Sequence, residues 1–352
     1  NNSKRRKSVK LYGFKEVKEA NEHLFTLPFY EKFELNNEVS FTLHEAGHII
    51  GAASVRFEIK EGGNAKIVGF TGDLGNPGSK LIVDAVPMKD LDMLVSETTY
   101  GNRHHKEKRT AEEVLIEQVT NTCINQDGRL IIPAFSVGRT QSVLFTLKKL
   151  FNEGKLPPVR VFADSPLALA SNNIHNRFSH YLNVETQDYK RDNDGSLFDF
   201  KSLHLVEDDD DVEDMEQYRD SCIIVSSAGM LEGGRIQHHI SDHIQNPSCT
   251  ILIAGFCSPG TLGAQLLMGQ SSIRIKGKDK YVYAKILSTD VFSAHPDTVG
   301  LQDYFAKSNS DKLKNIFFVH GEEEAMYDLK DALEEDLRTK VVIPGRGEEF
   351  LI

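Results

Sequence analysis

Across residues 100–290 the chain repeats one layout: an apolar β-rich run, a short loop of small and hydroxyl residues, then a helical pattern. RLIIPAFSVGRTQSVLFTLKKLF at residues 129–151 shows it most fully. VRVFADSPLALAS (159–171), CIIVSSAGMLEGGRIQHHI (222–240) and TILIAGFCSPGTLGAQLL (250–267) repeat it. Strands alternating with helices in this way argue for a parallel, doubly wound sheet. Each loop places small residues and hydroxyls at a helix N-terminus, where backbone N–H groups can take a phosphate. Glycine making tight turns explains the same residues equally well. A nucleotide-binding Rossmann domain is the rival, but no G-x-G-x-x-G occurs.

The rest of the composition narrows the class. With 352 residues, 39% hydrophobic and 26% charged, the chain has a soluble globular make-up and room for two domains. No apolar run approaches the roughly 20 residues that span a bilayer, so no membrane partner is expected. Cys123, Cys222, Cys249 and Cys257 show no C-x-x-C spacing and sit in or beside apolar runs. They read as buried, reduced thiols of a cytoplasmic protein. The net charge of −11 argues against a wholly basic, nucleic-acid-coating surface. A nucleic-acid enzyme stays open, because bound metal can supply the local positive charge. KRRK (residues 4–7) and RIKGKDK (274–280) are expected to be solvated faces, and EDDDDVED (207–214) a solvated loop. The first residue is Asn1 rather than Met, which suggests a piece of a longer protein.

HEAGH, beginning at His44, fits H-E-x-x-H, in which two His one helical turn apart hold zinc around a Glu base. Its neighbours argue against a helix. Residues 38–43 and 54–59 alternate polar and apolar, the period of half-buried strands. EGGN at residues 61–64 then reads as a hairpin turn into a strand over 65–70. Gly47 and Gly51 would each cost a helix about 1 kcal/mol relative to Ala. HEAGH is therefore expected on a Gly-rich loop between strands, where Glu45 need not face a metal held by His48. The third ligand of one zincin class would fall at position 54, which is Ser54.

Other ligand-type residues follow a common grammar, a polar side chain ending an apolar β-rich run. They are Asp73 in TGDLG, Glu97 in VSETTYGN, His295 in DVFSAHPD and His320 in NIFFVHGE. Any one alone is explained by strands having to end in something polar. Together with His48 they are the residue types of a zinc hydrolase gathered at strand ends.

AGHIIGA, FTGDLG, SETTYGN, FSAHPD and VHGE, in this order, resemble the motifs of the metallo-β-lactamase superfamily. The resemblance is to its β-CASP branch of RNA-cleaving nucleases, the bacterial and archaeal RNases similar to the catalytic subunit of the eukaryotic pre-mRNA 3′-end cleavage factor. IIPAFSVGRTQ, VSSAGMLEGGR and GFCSPGTLGAQLL resemble the β-CASP domain of that group. The resemblance runs from about Phe33 to the end of the chain. It implies an α/β fold: an αββα sandwich lacking its N-terminal part, with an inserted doubly wound parallel-sheet domain. The expected division is 1–102 and 288–352 for the metallo-β-lactamase domain, and 103–287 for the insertion.

The resemblance also implies roles. His48 would ligate one zinc, His320 a second, and Asp73 would bridge both. His295 would sit beside the scissile phosphate and protonate the leaving oxygen, with Glu97 holding its tautomer. A metal-bound hydroxide would then hydrolyse RNA. Arg139, Ser226, Ser227 and Gly229 are expected to line the cleft between the domains and contact the backbone of a single-stranded RNA, with a homo-oligomer possible.

One departure stands out. The family's H-x-H-x-D-H, which supplies two ligands to each metal, is missing. HHISDH (238–243) has Ile240 at the second His position and looks like a surface helix face. In the family the motif lies upstream of AGH, a position that would precede Asn1. Two zincs are expected in the complete enzyme, and an incomplete or empty site with impaired activity in this chain. A chain lacking those strands would also leave a sheet edge unpaired. The alternatives are a non-catalytic β-CASP scaffold, supported by the missing motif, and a zinc metalloprotease, supported by HEAGH alone.

Overall fold

The computed structural model describes residues 11–334 and 339–351. KRRK at 4–7 lies outside them. Helix α1 (Phe14–Glu22) buries no residue. After it, β1 (Lys32–Glu34), β2 (Val39–Glu45), β3 (Ala53–Glu61) and β4 (Asn64–Phe70) form an antiparallel meander. The turn between β3 and β4 is the two-residue Gly62-Gly63 loop, with φ of +58° and +89°. Positive φ at both central residues is what a tight hairpin matched to strand twist requires. β5 (Met93–Glu97) then joins β4 in parallel.

The chain now leaves this sheet to build a second one. β6 (Arg129–Pro133), β7 (Arg160–Asp164), β8 (Leu203–Leu205), β9 (Cys222–Ser226), β10 (Thr250–Ala254) and β13 (Lys285–Thr289) pair in parallel throughout, in the order β13-β10-β6-β9-β7-β8. Helix α2 (Ala111–Val119) leads into β6, and between the strands run α3 (Arg139–Asn152), α4 (Pro166–Arg177), α5 (Val184–Asp192), α6 (Asp209–Gln217), α7 (Ile236–His243) and α8 (Leu262–Leu267). A small hairpin of β11 (Ser272–Ile275) and β12 (Lys278–Tyr281) carries RIKGKDK, with Ile273 and Ile275 buried in the core and Arg274, Lys276 and Lys278 exposed.

Successive side chains of a strand point to opposite faces, and here both faces are covered. Leu130, Ile132, Val161, Ile223, Val225 and Leu252 pack with Val143, Leu144 and Leu147 of α3. Ile131, Phe162, Ile224, Ile251 and Ile253 pack on the other side with Ile236 and Ile240 of α7 and Leu262 of α8. Each fully buried Leu or Ile contributes about 1.5–3 kcal/mol, which is why a sheet written as continuous apolar runs must be wound on both faces.

β13 straddles the expected boundary at 287 and hands the chain back. α9 (Thr298–Ser308), β14 (Asn315–Val319), α10 (Glu323–Glu334) and β15 (Lys340–Val342) complete a seven-stranded sheet ordered β1-β2-β3-β4-β5-β14-β15. Its edges are the three-residue strands β1 and β15. Leu301 and Phe305 of α9 and Leu329 and Leu333 of α10 cover Leu94, Ile316 and Phe318 on one face. The other face carries a ladder of rings, Phe33–Phe41–Phe57–Phe70, with centroid spacings of 5.4, 5.7 and 5.9 Å. The second sheet of a complete sandwich is not among the described residues.

Two expectations change. EDDDDVED is not a loop: Asp208 caps α6 by accepting from Asp211 N–H, and Asp209, Asp210 and Asp211 fill its first turn. Carboxylates there are favoured by the free N–H groups and the helix dipole. HHISDH lies on a helix as expected, with His238 and Asp242 on its surface face, but His239 is buried and its Nε2 lies 2.7 Å from the Asp164 carboxylate. Arg235 donates to the same carboxylate at 2.6 Å. All four cysteines are free and buried. Burial pushes the thiols of Cys123 and Cys222 up to about 12, so they are inert.

Candidate active site

HEAGH is not helical. His44 and Glu45 end β2, and Ala46, Gly47 and His48 follow in the bend toward β3. Glu45 is occupied elsewhere: Tyr30 donates its hydroxyl to Oε2 at 2.6 Å. A zincin base beside a metal held by His44 and His48 on one helix face is thereby excluded.

The bend instead presses His48 against the Asp73 turn. Gly75 N–H donates to Ala46 C=O at 2.7 Å, and a Cβ on Gly75 would lie 1.9 Å from the Gly47 carbonyl oxygen. Gly47 itself has φ +74°, and its missing side chain leaves room for the Val83–Ala85 backbone. Only glycines allow this approach.

Glu97, at the end of β5, is 2% exposed and its carboxylate is fully used. Leu74 N–H donates to Oε1, Thr99 Oγ1 donates to Oε2 at 2.5 Å, and His295 Nδ1 donates at 2.9 Å. Burial pushes this carboxyl up, but the hydrogen bond and charge of His295, with Thr99 and Leu74, outweigh it and hold the pKa below the usual range. A carboxylate can only accept, so Nδ1 carries the proton and Nε2 is the atom His295 has to offer.

His320 follows β14 at φ +50°, a conformation uncommon outside glycine. The following Gly321 explains how it is held: a Cβ there would lie 2.4 Å from Thr98 Oγ1. Strain of this kind persists where neighbours over-determine it, and it concentrates at functional sites. Its Nδ1 stands 3.3 Å from Asp73 Oδ1, with side-chain exposures of 61% and 45%. An ion pair that exposed contributes at most about 1 kcal/mol, so stability does not explain it.

The five strand-end residues thus converge. Ligand atoms of His48, Asp73 and His295 lie within 4.8 Å of one another, as do those of Asp73, Glu97 and His320. The His48 and His295 rings are 4.5 Å apart. His48 Nδ1 is buried without a hydrogen-bond partner, and burial with the nearby His295 lowers its pKa, opposed by Asp73 and Glu97. A neutral imidazole with an unused buried nitrogen beside an open carboxylate is a donor set that fits a divalent metal.

The expected cleft residues divide. Arg139, at the start of α3, lines a cavity of about 280 Å³ between the two sheets together with His48, Asn76 and Phe292. Its guanidinium is buried against Phe135 and Gly255. Gly229 packs on Arg139 and Phe135. Ser227 is half-buried and donates to Ser165 Oγ at 2.9 Å, and Ser165 and Ser136 are 3.1 Å apart. Ser226 does not face the cleft. It is 1% exposed and its hydroxyl donates to the Asp164 carbonyl, because as the last residue of β9 it still points into the sheet. Tyr100 and His105 were missed by sequence reasoning, although SETTYGN placed Tyr100 three residues after Glu97. The Tyr100 ring lies 5.7 Å from that of His295, and His105 Nε2 is 3.2 Å from the His295 carbonyl oxygen.

Carboxylates and imidazoles gathered at strand ends, beside a cleft under a doubly wound domain, are the arrangement of a metal-dependent hydrolase. Comparison with known families agrees. Residues 140–266 match the Beta-Casp domain, and residues 281–344 match the Zn-dependent metallo-hydrolase RNA specificity domain. The chain is 26% identical to the RNase J-like protein of Methanocaldococcus jannaschii, over 96% of this chain and 77% of that protein. It is 28% identical to Ribonuclease TTHA0252 of Thermus thermophilus, over 90% and 70%. With the transcription termination factor FttA of Pyrococcus horikoshii the identity is 30%, over 92% of this chain and only 50% of that protein. The chain belongs to the β-CASP branch of the metallo-β-lactamase superfamily.

Proposed function

We propose that the chain carries the reaction centre of a zinc-dependent ribonuclease that hydrolyses phosphodiester bonds of single-stranded RNA. The observation that carries this reading is the Glu97–His295 pair, 2.9 Å apart, aimed at the half-exposed Asp73–His320 cluster and His48 on the cleft. The names of the two ribonuclease relatives support it.

His48, Asp73 and His320 would hold zinc, and Asp73, which belongs to both clusters of ligand atoms, would contribute to either. Zinc bound there supplies Lewis-acid chemistry, making a water more acidic and offsetting charge that builds on the phosphodiester. The protein's own groups do the rest. Glu97 holds the His295 ring with its Nδ1 protonated. His295 then presents Nε2 to the phosphate and, as the imidazolium with both ring nitrogens protonated, gives the Nε2 proton to the departing oxygen, a contribution of about 10²–10⁴-fold. Arg139 places positive charge in the cavity that His48 also lines. The Ser136–Ser165–Ser227 hydroxyls lie at strand ends of the parallel sheet, where backbone phosphates of the substrate are received. A non-catalytic scaffold has no need of a buried carboxylate orienting an imidazole.

The test incubates the purified chain with single-stranded RNA and added zinc, and follows cleavage on gels. Cleavage that falls at least about 100-fold in His295→Ala supports the reading. Cleavage by His295→Ala equal to that of the wild type sinks it.

A further inference from the structure

Next to the cavity that Arg139 lines, and sharing His105, Glu107 and Asp290 with it, lies a larger one of about 910 Å³. Its wall combines cations with rings. The Arg103 guanidinium lies 4.2 Å over the Phe256 ring and 5.5 Å from the Tyr100 ring. Those two rings meet edge to face, 6.0 Å apart at 86°. His104 and Lys106 follow on the same exposed segment, and Leu267 and Met268 at the end of α8 add apolar surface, 40% and 69% exposed. Among the described residues no carboxylate pairs with Arg103 or Lys106. The two acids in the wall are engaged: Glu107 by Arg109, and Asp290 by the Lys106 N–H at 2.8 Å and by the His105 ring.

We infer that this ledge is a base-stacking platform, on which a nucleotide next to the scissile phosphate lays its base against the Arg103–Phe256 pair. The inference rests on the ribonuclease reading and extends it. Three features point to an unpaired nucleic-acid strand. First, the Arg103 guanidinium, exposed and 4.2 Å over the Phe256 ring, can offer a face to a second flat π-system while its N–H fork reaches a phosphate. Second, a positive groove interleaved with aromatic rings is the chemistry that holds single strands without reading sequence. Third, the ledge is continuous with the reaction centre through Tyr100, whose ring touches both His295 and Phe256. A strand crossing His295 therefore has this ledge as its next support. A duplex, whose bases are already stacked, has no face to offer it. A purely apolar peptide would leave Arg103 and Lys106 unpaired.

The experiment is fluorescence anisotropy of a labelled single-stranded oligouridine titrated with the purified chain, with and without zinc. Phe256→Ala and Arg103→Ala are each expected to weaken binding about tenfold, the loss of one stacked base. Phe256→Tyr should bind like the wild type, and a fully abasic strand should bind wild type and Phe256→Ala alike. Melting temperatures of the variants, unchanged from wild type, separate lost stacking from lost fold. If the wild type binds and Phe256→Ala binds equally well, the platform is refuted and the ribonuclease reading stands. Equal losses on normal and abasic strands would also refute it. A wild type that binds no single-stranded RNA would remove both.

Discussion

Gly75→Ala should damage the site without touching a single candidate ligand. The added Cβ would stand 1.9 Å from the Gly47 carbonyl oxygen and 2.8 Å from Gly47 Cα. Both are backbone atoms, so no side chain can swing away. The loops bearing His48 and Asp73 must part by about 1 Å or more to reach ordinary contact distance. That opening breaks the 2.7 Å bond from Gly75 N–H to Ala46 C=O, worth about 1 kcal/mol. Overpacking adds about 1–3 kcal/mol, for a total of about 2–4 kcal/mol. Displaced ligands should weaken zinc binding about 10–100-fold, as loss of a supporting contact does. Scanning calorimetry and isothermal titration with zinc measure the two effects. Gly51→Ala is the control: it lies in the bend that carries His48, at φ +82° with nothing within 4 Å of its Cβ. It should cost about 1–2 kcal/mol of backbone strain and leave zinc affinity unchanged. A Gly75→Ala chain that melts and binds zinc like wild type would refute the packing argument, as would a Gly51→Ala chain that loses zinc equally.

Three further outcomes follow from particular contacts. Glu45→Gln should leave RNA cleavage essentially unchanged, because Glu45 binds Tyr30 and not the metal cluster; a large loss in steady-state rate would put Glu45 in the reaction centre. His243 is held neutral, its pKa lowered to about 4 by burial and by Arg129, which donates to Nε2 at 3.1 Å. The unfolded chain therefore binds the extra proton first, so stability is whole above about pH 6.5 and falls by up to a few kcal/mol as pH drops toward 4. Urea melts of His243→Gln should lose that part of the slope, and an unchanged slope would assign it elsewhere. Arg139→Ala should raise the KM for RNA by removing charge from the cleft, and should also destabilise the chain, since the side chain is buried against Phe135 and Gly255. Kinetics and melting both unchanged would take Arg139 out of the site and out of the core.

The parallel sheet was legible in the sequence because strands buried on both faces must be written as unbroken apolar runs, and the turns between them demand small residues. The rejection of HEAGH as a helix was legible for the same kind of local reason: period-two alternation on both sides, with glycines inside. Strand-end grammar was enough to nominate Asp73, Glu97, His295 and His320, which lie where a strand stops and turns polar, and HEAGH on its Gly-rich loop supplied His48.

Tertiary structure alone decided what no local pattern encodes. Ser226 and Ser227 are neighbours in one motif, yet only Ser227 faces its fellow hydroxyls, because the sheet's last inward position falls on Ser226. HHISDH gave no sign that His239 would meet Asp164 of a distant strand. Arg103 and Phe256 look unremarkable in their own segments. They become a pair only when the chain, having built the second sheet, returns to the first and brings the two against Tyr100. Local sequence determines backbone periodicity and turn chemistry, which are short-range. The meeting of side chains from remote strands depends on strand order, and only the folded sheets set that.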